Sequence, residues 1–102
     1  MSKDFIAIKR KALPLLKKSG VKRASIFGSF ARGEETKKSY VDFLAEFPKG
    51  FTLLDLIALE RQLKEKIGRD VDVIAYKSIY EPLRERILAE AIPILWKMHR
   101  FF

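Results

Sequence analysis

Gly28-Ser29, Arg32, Asp42 and Asp72 are the residues whose types and spacing point most directly to chemistry. A strand that ends in Gly-Ser and turns into a short helix gathers free backbone N–H groups, a hydroxyl and the positive end of a helix dipole, the ingredients of a phosphate cradle. Ordinary turns use the same dipeptide, so the pair also fits a purely structural bend. Arg32 adds a guanidinium suited to bidentate phosphate contact or to a surface ion pair. Asp42 and Asp72 each interrupt an otherwise apolar strand-like segment, where a carboxylate is costly unless it is paired, hydrogen-bonded or bound to metal. On neighbouring strands the two would converge as oxygen ligands for a magnesium–triphosphate unit. On the solvated face of a one-sided sheet they would instead pair with Lys or Arg.

The elements that must position these groups follow from periodicity. Phe5, Ile8, Ala12, Leu15 and Leu16 recur at helical spacing and predict a first helix closed by Gly20. Val21 to Phe27 alternates as a strand, Phe30 to Gly33 reads as a helical turn, and Glu34 to Ser39 as an exposed loop in which Glu34 and Glu35 are solvated. Val41 to Phe47 is the second strand. Thr52 caps a long helix whose expected buried stripe is Leu53, Leu56, Ile57, Leu59, Leu63 and Ile67, with Gly68 as its stop. Asp70 to Tyr76 is a third strand, with Asp70, Asp72 and Ile74 on one face. A helix starting around Pro82 runs to about Ala91; Pro93 breaks it, and Ile94 to Met98 forms either an edge strand or a hydrophobic tail. The order predicts a small sheet flanked by helices, α/β or α+β, in one domain over residues 1–102.

Composition narrows the function classes. The 102 residues are 48% hydrophobic, enough for one core, and contain no cysteine, which excludes disulfides and thiolate metal sites. Oxygen ligands remain, which favours magnesium-type chemistry. The chain has no asparagine, one glutamine (Gln62) and 33% charged residues, a composition expected of a thermophilic source. A formal charge of +8 makes polyanions natural partners. No membrane span is apparent, and Met1 to Arg10 mixes charges with apolar residues, so the expected location is cytoplasmic. His99 has no second ligand in view. Trp96, Phe101 and Phe102 are candidates for contact with another chain.

The segment GSFARGEETKKSYVDFLAEF, Gly28 to Phe47, resembles the signature of the minimal nucleotidyltransferases of the DNA polymerase beta-like superfamily: Gly-Ser, ten residues, Asp, any residue, Asp. RDVDVIAYKSI, Arg69 to Ile79, resembles that family's third-aspartate strand, and EPLRERILAEAIPIL, Glu81 to Leu95, its C-terminal helix and edge. The resemblance implies the polymerase beta-like fold, ATP as substrate and Mg2+ as cofactor. Gly28 and Ser29 would bind the triphosphate, Asp42 would be the second of the paired metal-binding aspartates, and Asp72 the carboxylate that helps activate the attacking hydroxyl. Family members of this size resemble antitoxins whose partner is a helical HEPN-type ribonuclease toxin, and the implied reaction is transfer of AMP to a partner tyrosine.

This sequence departs from the pattern at Tyr40, which stands where the family has its first aspartate. A phenol with a pKa near 10 is a poor magnesium ligand at neutral pH, so the two-metal site is expected to be incomplete and the activity impaired. Asp70 supplies a carboxylate nearby, but from the other strand. The alternative function is a binding module without catalysis that masks a toxin or docks RNA through its basic surface. A general nucleic-acid binder is not favoured, because no strand face interleaves aromatics with Lys and Arg. Homo-oligomerisation is left open.

Overall fold

The structure, a computed structural model, describes residues 2–96. Helix α1 (Lys3–Lys18) is capped by Ser2, whose hydroxyl accepts the Phe5 N–H at 3.0 Å. It continues past Pro14 because Leu16, on the same face as Phe5, Ile8 and Ala12, is fully buried in the core. Strand β1 (Arg23–Phe27) leads through Gly28 into the four-residue helix α2 (Ser29–Arg32), and a loop then reaches β2 (Val41–Glu46). Helix α3 (Leu53–Ile67) crosses over to β3 (Val71–Ala75). Two short 3-10 turns (Tyr76–Ser78 and Glu81–Leu83), helix α4 (Arg84–Glu90) and strand β4 (Ile92–Trp96) complete the order.

The four strands form one mixed sheet in the order β3-β2-β1-β4. Strand β1 is antiparallel to both β2 and β4, while β2 and β3 are parallel, as the α3 crossover between them requires. Alternation along the strands splits the buried residues between two faces. Ala24, Ile26, Val41, Phe43, Ala45 and Val73 pack against α1 and α3 through Phe5, Leu16, Leu59 and Leu63. The opposite face carries a smaller cluster of Phe27, Leu44 and Ile79, with Ile74, Tyr76, Ile87 and Ala91 packed onto it.

Two expectations need correction. In α3 only Leu59 and Leu63 are buried, whereas Leu53 and Ile57 are 70% and 52% exposed. With residues about 100° apart around a helix, Leu56, Leu59, Leu63 and Ile67 share one face and Ile57 is rotated out of it. The final strand begins at Ile92 and includes Pro93, which the sequence marks only as a helix breaker. Strand β4 lies at the sheet edge and its register with β1 shifts between Ala24 and Ser25, the two settings that tolerate a proline lacking an N–H. Trp96, the last described residue, is 62% exposed; His99, Phe101 and Phe102 lie outside the described residues. No helix among the described residues is long and apolar enough to cross a membrane.

Candidate active site

Phe27, Asp42 and Asp72 form one row across three strands: Phe27 is the register partner of Asp42 on β2, and Asp42 is the partner of Asp72 on β3. Residues in register on adjacent strands point to the same side of a sheet. The two aspartates therefore project beside one another on the face away from α1 and α3, near the start of β2 and β3. Gly28 follows Phe27 at the same end. Its backbone (φ 74°, ψ −149°) lies in a region that L side chains rarely adopt, and a Cβ at this position would collide with Asp42 Oδ2. Glycine is required here both for conformation and for the close approach of the carboxylate. The Gly28 carbonyl accepts the Arg32 N–H at 3.1 Å, opening α2 with Ser29 as its first residue.

Burial pushes the Asp42 carboxyl up to about 6 from 3.8, helped by the negative charge of Asp72 and, more weakly, of Glu90, with Arg32 opposing. Glu90 closes the other side of the turn. The Gly28 N–H donates to Glu90 Oε2 at 2.7 Å, and Arg32 Nη1 donates to both oxygens of Glu90 at 3.1 Å. Arg32 Nε donates to Glu34 Oε1 at 2.9 Å, and these contacts with Glu34 and Glu90 raise the guanidinium pKa. The Gly28 amide and the Arg32 side chain thus already hold carboxylates. The donors the turn still has to offer are the first N–H groups of α2, which have no acceptor within their own helix, and Ser29, its first residue, adds a hydroxyl.

Tyr40 precedes β2 by one residue and is 54% exposed. Asp70 is held by Lys64 at 2.8 Å. The loop carrying Tyr40 is anchored by Arg69, whose Nη1 donates to the carbonyls of Thr36 (2.8 Å), Lys37 (3.3 Å) and Ser39 (3.4 Å) and whose guanidinium lies 5.0 Å from the Phe30 ring centroid. Glu34 is solvated as expected, 66% exposed, and pairs with Arg32 at the surface, whereas for Glu35 the expectation is corrected: one carboxylate oxygen is buried without a hydrogen-bond partner among the described residues.

The donor set fits a hard cation in reduced form. Asp42 and Asp72 supply adjacent carboxylates, and burial together with the Asp72 charge makes ionisation of Asp42 costly, a cost that a cation would relieve. No group of three or more His, Cys, Asp or Glu residues near enough to share a metal occurs among the described residues. Mg2+ typically takes one or two protein carboxylates and completes its shell with water and substrate phosphate, which this pair can accommodate.

Sequence reasoning singled out Gly28, Ser29, Arg32, Tyr40, Asp42 and Asp72, and the fold brings Gly28, Arg32, Asp42 and Asp72 into one neighbourhood. It missed Glu90 and Arg69. The signal for Glu90 was its position: a glutamate as the last residue of a helix opposes the helix dipole and calls for a compensating donor.

The chain was compared with known proteins. Residues 8–95 match the family model described as "Nucleotidyltransferase domain". A protein of Methanocaldococcus jannaschii named "Putative protein adenylyltransferase MJ0435" is 53% identical over 88 residues, 86% of this chain and 95% of that protein. A solved structure named for a minimal nucleotidyltransferase shares 38% identity at a TM-score of 0.76, covering 87% of this chain and 91% of the other. The same fold recurs in a solved complex of the tri-AMPylated Shewanella oneidensis HEPN toxin with its MNT antitoxin, at 16% identity and a TM-score of 0.68 over 89% of this chain and 71% of that one. The register of Asp42 with Asp72, the glycine-dependent turn beside them and the match over residues 8–95 agree, and the chain belongs to the nucleotidyltransferase domain family.

Proposed function

We propose that this chain is an antitoxin of the adenylyltransferase type, which binds Mg2+–ATP and transfers AMP to a HEPN-type toxin partner, with transfer limited by Tyr40. The observation that carries the reading is the side-by-side placement of Asp42 and Asp72 against the Gly28–Ser29 turn. In the reaction an acceptor hydroxyl oxygen bonds to the α-phosphorus of ATP, the bond from that phosphorus to the bridging oxygen breaks, and pyrophosphate leaves with the electron pair. The Ser29 hydroxyl and the first N–H groups of α2 hold phosphate oxygens. Asp42 and Asp72 are the residues that would hold Mg2+, which when bound neutralises phosphate charge. Asp72, the more exposed of the two, accepts the proton of the arriving hydroxyl.

Tyr40 limits this chemistry because it offers neither the charge nor the oxygen ligand of a carboxylate at neutral pH. The positions of Arg32 and Glu90 favour a second reading, in which the chain neutralises its partner by binding alone: Arg32, which shares Glu90 with the Gly28 amide, is already paired. Titration with Mg2+–ATP by calorimetry, together with labelled AMP incorporation into a HEPN-type toxin, separates the two. Saturable binding lost in Asp42→Asn and Asp72→Asn, with label on the toxin, supports the transferase. Toxin neutralisation without nucleotide binding supports the binding module.

A further inference from the structure

We propose that Glu90 is a positioning residue for the nucleotide site: a brace that locks the Gly28 turn in its positive-φ conformation and so fixes Ser29 and the Asp42 carboxylate relative to one another. The inference rests on the reading of that site as a place for Mg2+–ATP, but its geometry stands independently. Gly28 is clamped on three sides. Its N–H donates to Glu90 Oε2 at 2.7 Å, its carbonyl accepts the Arg32 backbone N–H at 3.1 Å, and Asp42 Oδ2 lies where a side chain would begin. Glycine reaches this region without strain, so the turn depends on its partners to select this conformation among the many open to it.

Glu90 makes two of the connections that do so. It holds the Gly28 amide directly, and it grips the Arg32 guanidinium with both oxygens, tying the far end of α2 to the end of α4. Its side chain is only 16% exposed. A carboxylate at the end of a helix and near Asp42 is electrostatically unfavourable, with Glu90 itself adding to the charge that holds the Asp42 proton. Donors fixed at the Gly28 amide and Arg32 offset that cost, so the fold has placed a charged acceptor where it orders the turn. Without Glu90 the Gly28 amide loses its acceptor and α2 its tie to α4, which leaves the Arg32 N–H and the packed Asp42 carboxylate to hold the turn. A glutamine retains an oxygen for the Gly28 amide; alanine retains nothing.

The test compares Glu90→Ala with Glu90→Gln by two readouts: hydrogen exchange at the Gly28 amide followed by NMR, and Mg2+–ATP affinity by calorimetry. The expected result is Gly28 exchange at least about tenfold faster in Glu90→Ala and within about threefold of the parent in Glu90→Gln. Nucleotide affinity follows the same order, at least about tenfold weaker for alanine and within about threefold for glutamine. Should Glu90→Ala fail to fold, Glu90→Asp, shorter by one methylene, takes its place with the same expectation. Affinity in the alanine variant equal to or tighter than the parent would overturn the brace and make Glu90 a competitor of the phosphate. Glutamine behaving like alanine would overturn it as well. A parent protein that binds no Mg2+–ATP contradicts the nucleotide reading, while the Gly28 exchange comparison still decides whether Glu90 braces the turn.

Discussion

The Asp42 carboxylate packs directly against Gly28, with Oδ2 occupying the space a Cβ at position 28 would need. Gly28→Ala therefore meets a steric clash and a disfavoured backbone at once, since φ is 74°. It should destabilise the protein by about 2 kcal/mol or more, read as a lower denaturation midpoint with unchanged slope in urea. A similar alanine at Gly33, where φ is also positive but nothing lies within 4 Å, should cost about 1 kcal/mol.

Asp42 gives the stability a defined pH dependence. Its folded pKa of about 6 exceeds the ordinary 3.8, so the folded protein binds this proton more tightly than the unfolded chain. The resulting stabilisation is full below about pH 4, fades between about 4 and 6, and is absent above that window. Asp42→Asn should accordingly raise the stability of the metal-free protein at pH 7 by about 1 kcal/mol, a figure reduced for solvent screening of a partly exposed group, and should change little at pH 4. Thermal melts of both proteins across pH 4 to 8 check the sign.

Helix α3 links β2 to β3 and thereby sets Asp42 beside Asp72, so its capping box matters to the site. Thr52 Oγ1 accepts the Asp55 N–H at 3.2 Å and Asp55 Oδ2 accepts the Thr52 N–H at 2.8 Å. Thr52→Ala should cost about 1 kcal/mol, and Thr52→Ser much less, in equilibrium unfolding.

The limits of α3 were legible in the sequence because Thr52 and Gly68 are chemical punctuation, and the placement of Asp42 beside Asp72 near the Gly28-Ser29 turn was legible because carboxylates stand out in apolar strands and a glycine marks the turn after β1. Which apolar residues of α3 are buried was not, since Leu53 and Ile57 read as part of the stripe until the neighbouring α1 and sheet are in place. The start of β4 was hidden by Pro93, which signals a break locally and finds its place only at an edge with a register shift. Glu90 and Arg69 were missed for a related reason. Their partners, Gly28 and the carbonyls of Thr36, Lys37 and Ser39, are distant in sequence, and only the tertiary fold brings them within reach.

The central claim, that the Asp42–Asp72 pair is a nucleotidyl-transfer site limited by Tyr40, is tested most directly by the rate of labelled AMP incorporation into a HEPN-type toxin with ATP and Mg2+. Three proteins are compared: the parent, Tyr40→Asp, and Tyr40→Asp with Asp42→Ala. A carboxylate two residues before Asp42, just ahead of β2, would add a ligand and a negative charge for the cation. The account predicts slow transfer by the parent, a rate at least about tenfold higher for Tyr40→Asp, and loss of that gain in the double variant. Equal, robust transfer by the parent and Tyr40→Asp would contradict it.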